Sequence, residues 1–306
     1  MNKFIKSAFY FIFILIPSYF LLIFLVGNYF PDRFKGNLIT FSGKNNILYK
    51  KFKEVEKVQN IDLLFIGSSR CYRGFDVRIF REIGIKSYNL GSSSQTPIQS
   101  ETLLKKYLPK LKPKLVVFEV SPLIFSLDGF ESTLDIISNQ DNDIETIKMA
   151  LKYKDVKIVN SLIYSFMNFK FGNLNKTIPN YEKDAGEYVN GGYVEKHDTF
   201  KDSLVSNKIK YSINKKQIIA FNQIISLLAK SKIKLLLVQA PVTKELYHSC
   251  LNNDDFNNMM HIKGNYIDFN GRVILNDSLH FFDNDHLNQK GVEIFNRKLI
   301  PFLGFR

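Results

Sequence analysis

Cysteine is nearly absent, with two in 306 residues, which excludes a disulfide-stapled scaffold and any zinc site built from four thiolates. Histidine is sparse, and His197, His248 and His261 stand apart from one another and from any Cys or Asp at metal-ligand spacing, so no metal site is expected. No phosphate loop of the G-x-x-x-x-G-K type occurs, which argues against a nucleotide hydrolase. Acidic residues are also short: 29 Asp and Glu face 42 Lys and Arg, a formal charge of +13. That excess invites a nucleic-acid reading, but the lysines are scattered through Asn- and Ile-rich sequence without a basic stripe or a nucleic-acid motif. A basic surface of this kind fits an anionic lipid or polymer better.

What is present is apolar. At 45% hydrophobic and 23% charged residues the composition is globular, and the length suits one large or two modest domains. Residues 8–26 carry no charged side chain at all, long enough for a helix to cross a bilayer, with Lys3 and Lys6 holding the N-terminus in the cytoplasm and the rest outside. Pro17 is tolerable as a kink. A cleaved signal peptide would end in small residues, whereas Leu25-Val26-Gly27-Asn28 runs into Tyr29-Phe30, so an uncleaved signal anchor is expected. Cys71 and Cys250 could pair outside the cytoplasm, although spacing alone does not bring them together.

Residues 1–30 thus read as cytoplasmic tip and anchor, 31–60 as a polar stem with a helix near 49–57, and 61–306 as the exported domain. Short apolar runs at 61–66, 87–90 and 115–120 end at Gly67, Gly91 and Ser121, and helical stretches at 76–82 and 97–108 separate them. This alternation predicts a parallel sheet covered by helices on both faces. The rhythm breaks over about 123–207, read as an insertion with helices at 144–153 and 157–167 and a loop around Asn190-Gly191-Gly192-Tyr193. It resumes with a helix at 215–230, strands at 233–239 and 266–270, and a last helix at 288–302.

In such sheets the ligand site lies beyond the carboxyl ends of the strands. The first strand ends in Gly67-Ser68-Ser69-Arg70, where a turn and a helix start would expose a serine hydroxyl beside backbone N–H groups able to hold an oxyanion. Near the C-terminus, Asp283 precedes His286 by three residues, close enough to bind the imidazole Nδ1 and leave Nε2 for a serine proton. Asp277 and His280 have the same spacing. The helix starting at Asn288 would seat His286, whereas His280 precedes Phe281-Phe282 and is expected to pack beneath them. Arg70 could recognise an anionic substrate or pair with an acidic neighbour. The serines at 92–94 read as caps of the following helix or substrate contacts.

Gly67-Ser68-Ser69, Asn89-Leu90-Gly91 and Asp283-x-x-His286-Leu-Asn-x-x-Gly291 together resemble the SGNH/GDSL hydrolase superfamily, and more narrowly its membrane-anchored branch related to proteins that acylate envelope polysaccharides. The resemblance implies a three-layer α/β/α, flavodoxin-like fold with about five parallel strands behind one transmembrane helix. It implies a serine esterase or O-acyltransferase acting outside the membrane on acylated envelope carbohydrate, with a membrane-bound O-acyltransferase as a conceivable partner and no cofactor or nucleic acid. Residue by residue it assigns Ser69 as nucleophile, His286 as base, Asp283 as acid, and the N–H groups of Ser69 and Gly91 as oxyanion donors. Where the family has a Gly-x-Asn-Asp asparagine as a further donor, this chain has Glu119-Val120-Ser121-Pro122. Ser121 is then a candidate substitute, Arg70 and Ser92 are candidate substrate contacts, and Glu119 reads as structural. The departure leaves a second reading open, an inactive polysaccharide-binding or scaffold protein.

Overall fold

A computed structural model describes residues 2–39, 46–172, 186–200 and 207–305. Parts of the expected stem and insertion, at 40–45, 173–185 and 201–206, lie outside the described residues. In chain order the elements are α1 (Asn2–Tyr29), α2 (Ile47–Val55), β1 (Leu63–Ile66), α3 (Ser69–Gly74), α4 (Val77–Glu82), β2 (Ser87–Asn89), α5 (Pro97–Leu111) and β3 (Leu115–Glu119). There follow α6 (Pro122–Ser126), α7 (Phe130–Asn139), α8 (Ile144–Leu151), α9 (Val156–Phe171) and the strands β4 (Glu187–Val189) and β5 (Tyr193–Glu195). The chain closes with α10 (Lys215–Lys230), β6 (Lys234–Gln239), α11 (Lys244–Ser249), α12 (Asn253–Lys263), β7 (Tyr266–Asp268), α13 (Asp277–His280) and α14 (Gln289–Leu299). The chain divides into two compact units, residues 1–49 with 133–179, and residues 50–132 with 180–306.

In the first unit, α1 is long and apolar enough to cross a membrane, with a mean hydropathy of 2.6 over its most apolar window. Helix α9 lies along its second half. Gly27 permits the approach, since a Cβ there would stand 2.2 Å from the Tyr164 ring. The Tyr19 hydroxyl donates to Asn160 Oδ1 at 2.5 Å, and Ile23, Leu38 and Tyr164 form a small apolar cluster.

The second unit is built on a five-stranded, wholly parallel sheet in the order β2-β1-β3-β6-β7. Counting only these strands, the order is 2-1-3-4-5, the flavodoxin-like arrangement that the resemblance implied. The strands are short apolar runs because both faces are covered. Leu63 and Phe65 of β1, Leu115 and Val117 of β3, and Leu236 and Val238 of β6 share one core with Phe75, just after α3, and with Phe80 and Phe295 from α4 and α14. The opposite face carries Phe118, packed on Phe221 of α10, which also meets Phe125 of α6.

Phe65 is fully buried, its ring 4.7 Å from that of Phe75 and 4.9 Å from that of Phe80. Phe65→Ala should cost about 3–5 kcal/mol, read as a lowered denaturation midpoint, because a backbone flanked by two paired strands cannot collapse into the void.

The stretch expected as a glycine-rich loop is an antiparallel hairpin. Strands β4 and β5 pair across Asn190-Gly191-Gly192, with φ of +106° at Gly191 and +90° at Gly192. Gly191 O accepts the Asn89 N–H at 2.8 Å, and a Cβ on Gly192 would fall 2.1 Å from Asn89 O. The hairpin therefore closes the β2 edge of the sheet, and the glycines are there for that approach. The end of helix α2 is buried too, at Lys51, Phe52 and Val55, with the Phe52 ring stacked 6.3 Å from that of Tyr107 of α5.

Candidate active site

The carboxyl ends of β1, β2, β3 and β6 open onto one side of the sheet. At the end of β1 the chain turns through Gly67 (φ +147°) into α3, whose first residue is Ser69. Ser68 caps that helix and also donates its hydroxyl to Glu119 Oε2 at 2.8 Å. Ser68 thus faces the interior, so Ser69 is the serine left at the opening. Its N–H, in the first helical turn, has no intrahelical acceptor.

The loop before α14 supplies the partners. Asp283 accepts the backbone N–H groups of Asp285 at 2.8 Å and His286 at 2.7 Å, which folds the loop into a tight turn. Its oxygens lie 2.9 and 3.0 Å from His286 Nδ1. Because Asp283 can only accept when ionised, the imidazole proton sits on Nδ1 and the Nε2 lone pair points outward. Nε2 is 2.7 Å from Ser69 Oγ. Phe282 stacks on the imidazole at 5.3 Å with 9° between planes, and Asn288 caps α14 behind it. Burial pushes the Asp283 carboxyl up, but the bonds from His286 and the Asp285 N–H outweigh it and hold the acid below its ordinary range.

Asp277 and His280 do not join this arrangement. His280 Nδ1 accepts the Asn276 N–H at 2.8 Å, and the residue is partly exposed where the sequence suggested packing beneath Phe281-Phe282. It ends a one-turn helix whose cap, Asn276, holds the ring to its own backbone.

Several expected contacts are placed elsewhere. The structure does not bring the Gly91 N–H to the Ser69 opening as a free donor: it donates to Asn89 Oδ1 at 3.0 Å. Asn89 is fully buried and its amide binds the carbonyls of Cys71 and Phe75, so its oxygen is aimed back along its own chain. Gly91 serves close packing, since a Cβ would stand 2.9 Å from Cys71 Cβ and Tyr72 N. Ser92 is buried and donates to Gln95 Oε1 at 2.7 Å. The cap of α5 is Thr96 with Gln99, in place of the serines at 92–94. Ser121 sits at the N-cap position of α6, but its hydroxyl is fully buried and meets no partner. The two cysteines are free, and burial pushes the Cys71 thiol well up, which disqualifies it as a nucleophile beside Ser69.

Arg70 takes the second of its two expected roles. Its Nε donates to Asp285 Oδ1 at 2.6 Å and an Nη binds the same oxygen. It also lines a small recess with Pro122, Leu123, Tyr211, Gln239 and Cys250. Asp285 went unnoticed in the sequence, although the Asp-Asn-Asp-His run carries two acids and only the fold shows which one reaches Nδ1.

Glu119 is fully buried, and its Oε1 has no partner. Burial raises its carboxyl, with Arg70 and the Ser68 hydroxyl partly opposing. A carboxyl raised on folding keeps its proton in the folded chain after the unfolded chain has lost it. Stability therefore falls as pH rises from the unfolded value through the folded one. Glu119→Gln should remove that slope, giving a higher melting temperature than wild type at pH 8 and a similar one at pH 4, checked by calorimetry at both.

No family model matches the sequence, and no curated protein matches it. Among solved structures, the chain is similar to a GDSL-like lipase from Bacteroides thetaiotaomicron, with 13% identity, a TM-score of 0.43, and coverage of 84% of this chain and 98% of that one. A protein from Bacteroides fragilis described as an acylhydrolase gives 12% identity, a TM-score of 0.41, and coverage of 83% and 94%. Overlaps this loose leave the functional reading to the residues themselves.

Proposed function

We propose that this chain is a serine esterase or O-acyltransferase of the SGNH/GDSL kind, tethered by α1 and acting on acyl esters of envelope carbohydrate. The observation that carries the reading is the chain of contacts from Ser69 Oγ through His286 to Asp283. Ser69 would attack the acyl carbonyl while His286 Nε2 takes its proton, forming an acyl-enzyme. The alcohol would leave with that proton, and water or a sugar hydroxyl would then accept the acyl group by the reverse proton path. Asp283 would orient the ring and stabilise the imidazolium. The Ser69 N–H would be one oxyanion donor.

The anchor and the basic surface support a membrane location and an anionic polymer, and the esterase chemistry stands without either. The full-length protein in detergent should hydrolyse a generic aryl acetate and react with a serine-directed fluorophosphonate. Equal labelling of the Ser69→Ala protein would place the nucleophile elsewhere.

A specific observation favours a second reading, a polysaccharide-binding or scaffold protein without turnover. Ser121 stands where the family carries asparagine, with its hydroxyl fully buried, and the Gly91 N–H is already engaged. Removing one oxyanion donor costs about 3 kcal/mol in other enzymes, so two missing donors would leave a slow catalyst. Absence of both labelling and hydrolysis in the wild-type chain would decide for this reading.

A further inference from the structure

Asp285 lies on the working side of the imidazole. Its Oδ2 is 3.7 Å from His286 Nε2, the atom that Ser69 Oγ approaches at 2.7 Å. A shift of roughly 1 Å would make it a hydrogen-bond partner of Nε2 and a rival to Ser69. Both contacts that oppose this shift come from Arg70, which binds Oδ1 through Nε and an Nη and leaves Oδ2 facing the ring. The Arg70 side chain is only 8% exposed and the Asp285 side chain 27%. The arginine is thus the more deeply buried member of the pair.

We propose that Arg70 is a positioning residue that holds Asp285 off His286 Nε2, so that Ser69 keeps the lone pair. This rests on the esterase reading for its catalytic meaning, while the contact itself does not depend on turnover. Without the guanidinium, the Asp285 carboxylate would close on Nε2, stabilise the protonated ring and withdraw the base. The other charged or titratable groups around the ring are Asp283 on Nδ1, Arg73 and Lys196 over the Phe282 face, and Glu119 and Tyr211 near Arg70. None of these takes an Nε2 contact in the structure. The Glu119 carboxyl stays behind Arg70, held by Ser68.

The test uses the full-length chain in detergent and two readouts. One is the pH dependence of fluorophosphonate labelling and aryl acetate hydrolysis. The other is the titration of the His286 imidazole by 15N NMR on histidine-labelled protein, which needs no turnover. In Arg70→Met the titration midpoint and the acid limb of kcat/KM should rise together by about 1–3 pH units, as expected for a carboxylate brought against an imidazolium, with KM unchanged. In Arg70→Met/Asp285→Asn both should return to the wild-type position. Asp285→Asn alone should lower the midpoint, which keeps the proposal open to refutation should Arg70→Met fail to fold.

The proposal is overturned if the double variant stays as impaired as Arg70→Met, or if neither midpoint moves. It is also overturned if Arg70→Met raises KM with an unmoved limb, because Arg70 would then contact substrate through the recess it lines. A wild-type chain without any labelling would sink the esterase reading and leave the imidazole titration to judge the Arg70 contact.

Discussion

Ser69→Ala and His286→Ala should each lower kcat/KM for an aryl acetate by about a million-fold, and the double variant by no more than either alone. The serine hydroxyl and the imidazole act through one hydrogen bond, 2.7 Å long, and neither has a use without the other. Asp283→Asn should cost less, on the order of 10⁴, because the amide oxygen stays with the Asp285 and His286 N–H groups and the NH2 facing Nδ1 donates, so the ring takes the wrong tautomer while the nucleophile stays in place. The order of these losses is as informative as their size. If His286→Ala were mild and His280→Ala severe, the proton path would run through the wrong loop. If the double variant fell well below both singles, the two residues would be acting separately and a triad would be the wrong description. The measurement is steady-state hydrolysis with the full chain, calibrated by labelling so that inactive protein is not counted.

The parts of this site that could be read from the sequence are those set by where an apolar run stops. Strand β1 ends at Ile66 and β3 at Glu119, each at the residue where hydrophobicity breaks, so the serine turn and the end of β3 fall where the alternation predicts. Helix α10 runs from Lys215 to Lys230 as its periodicity indicates, and Asp76 and Asn288 cap α4 and α14 as their residue types suggest. What could not be read depends on side-chain direction. Nothing in Asn89-Leu90-Gly91 says that the asparagine amide turns inward and occupies the glycine N–H, because that follows from the carbonyls of Cys71 and Phe75 lying across the sheet edge. The six-residue α3 is too short to show a helical period, and its polar Arg70 and Arg73 mask the inward Cys71 and Tyr72. The Asn190-Gly191-Gly192 hairpin was visible in principle, since Asn-Gly between short strand formers is a turn signal, but β4 and β5 hold three residues each and give no alternation to recognise.

Gly67→Ala should separate the two roles of the β1 turn, position and packing, by damaging activity far more than fold. Gly67 has φ +147°, a region that side chains with a Cβ seldom enter, and an added Cβ would stand 2.9 Å from both Glu119 Cβ and Glu119 O. The obstacle is the end of a central strand, paired on both sides, so the turn must give way instead of β3. Backbone strain of this kind costs on the order of 1–3 kcal/mol, which a sheet of this burial should survive with a lowered melting temperature. The displaced part is the peptide that carries Ser68 and Ser69. A shift of about 1 Å in the nucleophile is worth about 100-fold in rate, since the attacking oxygen must meet both the carbonyl and Nε2 at once. The expected result is a drop of about two orders of magnitude in kcat/KM and in labelling rate. Full activity in Gly67→Ala would mean that the approach of the β1 turn to Glu119 does not set the position of Ser69. The serine would then be placed from the α3 side, through the packing of Cys71 and Tyr72 against Gly91.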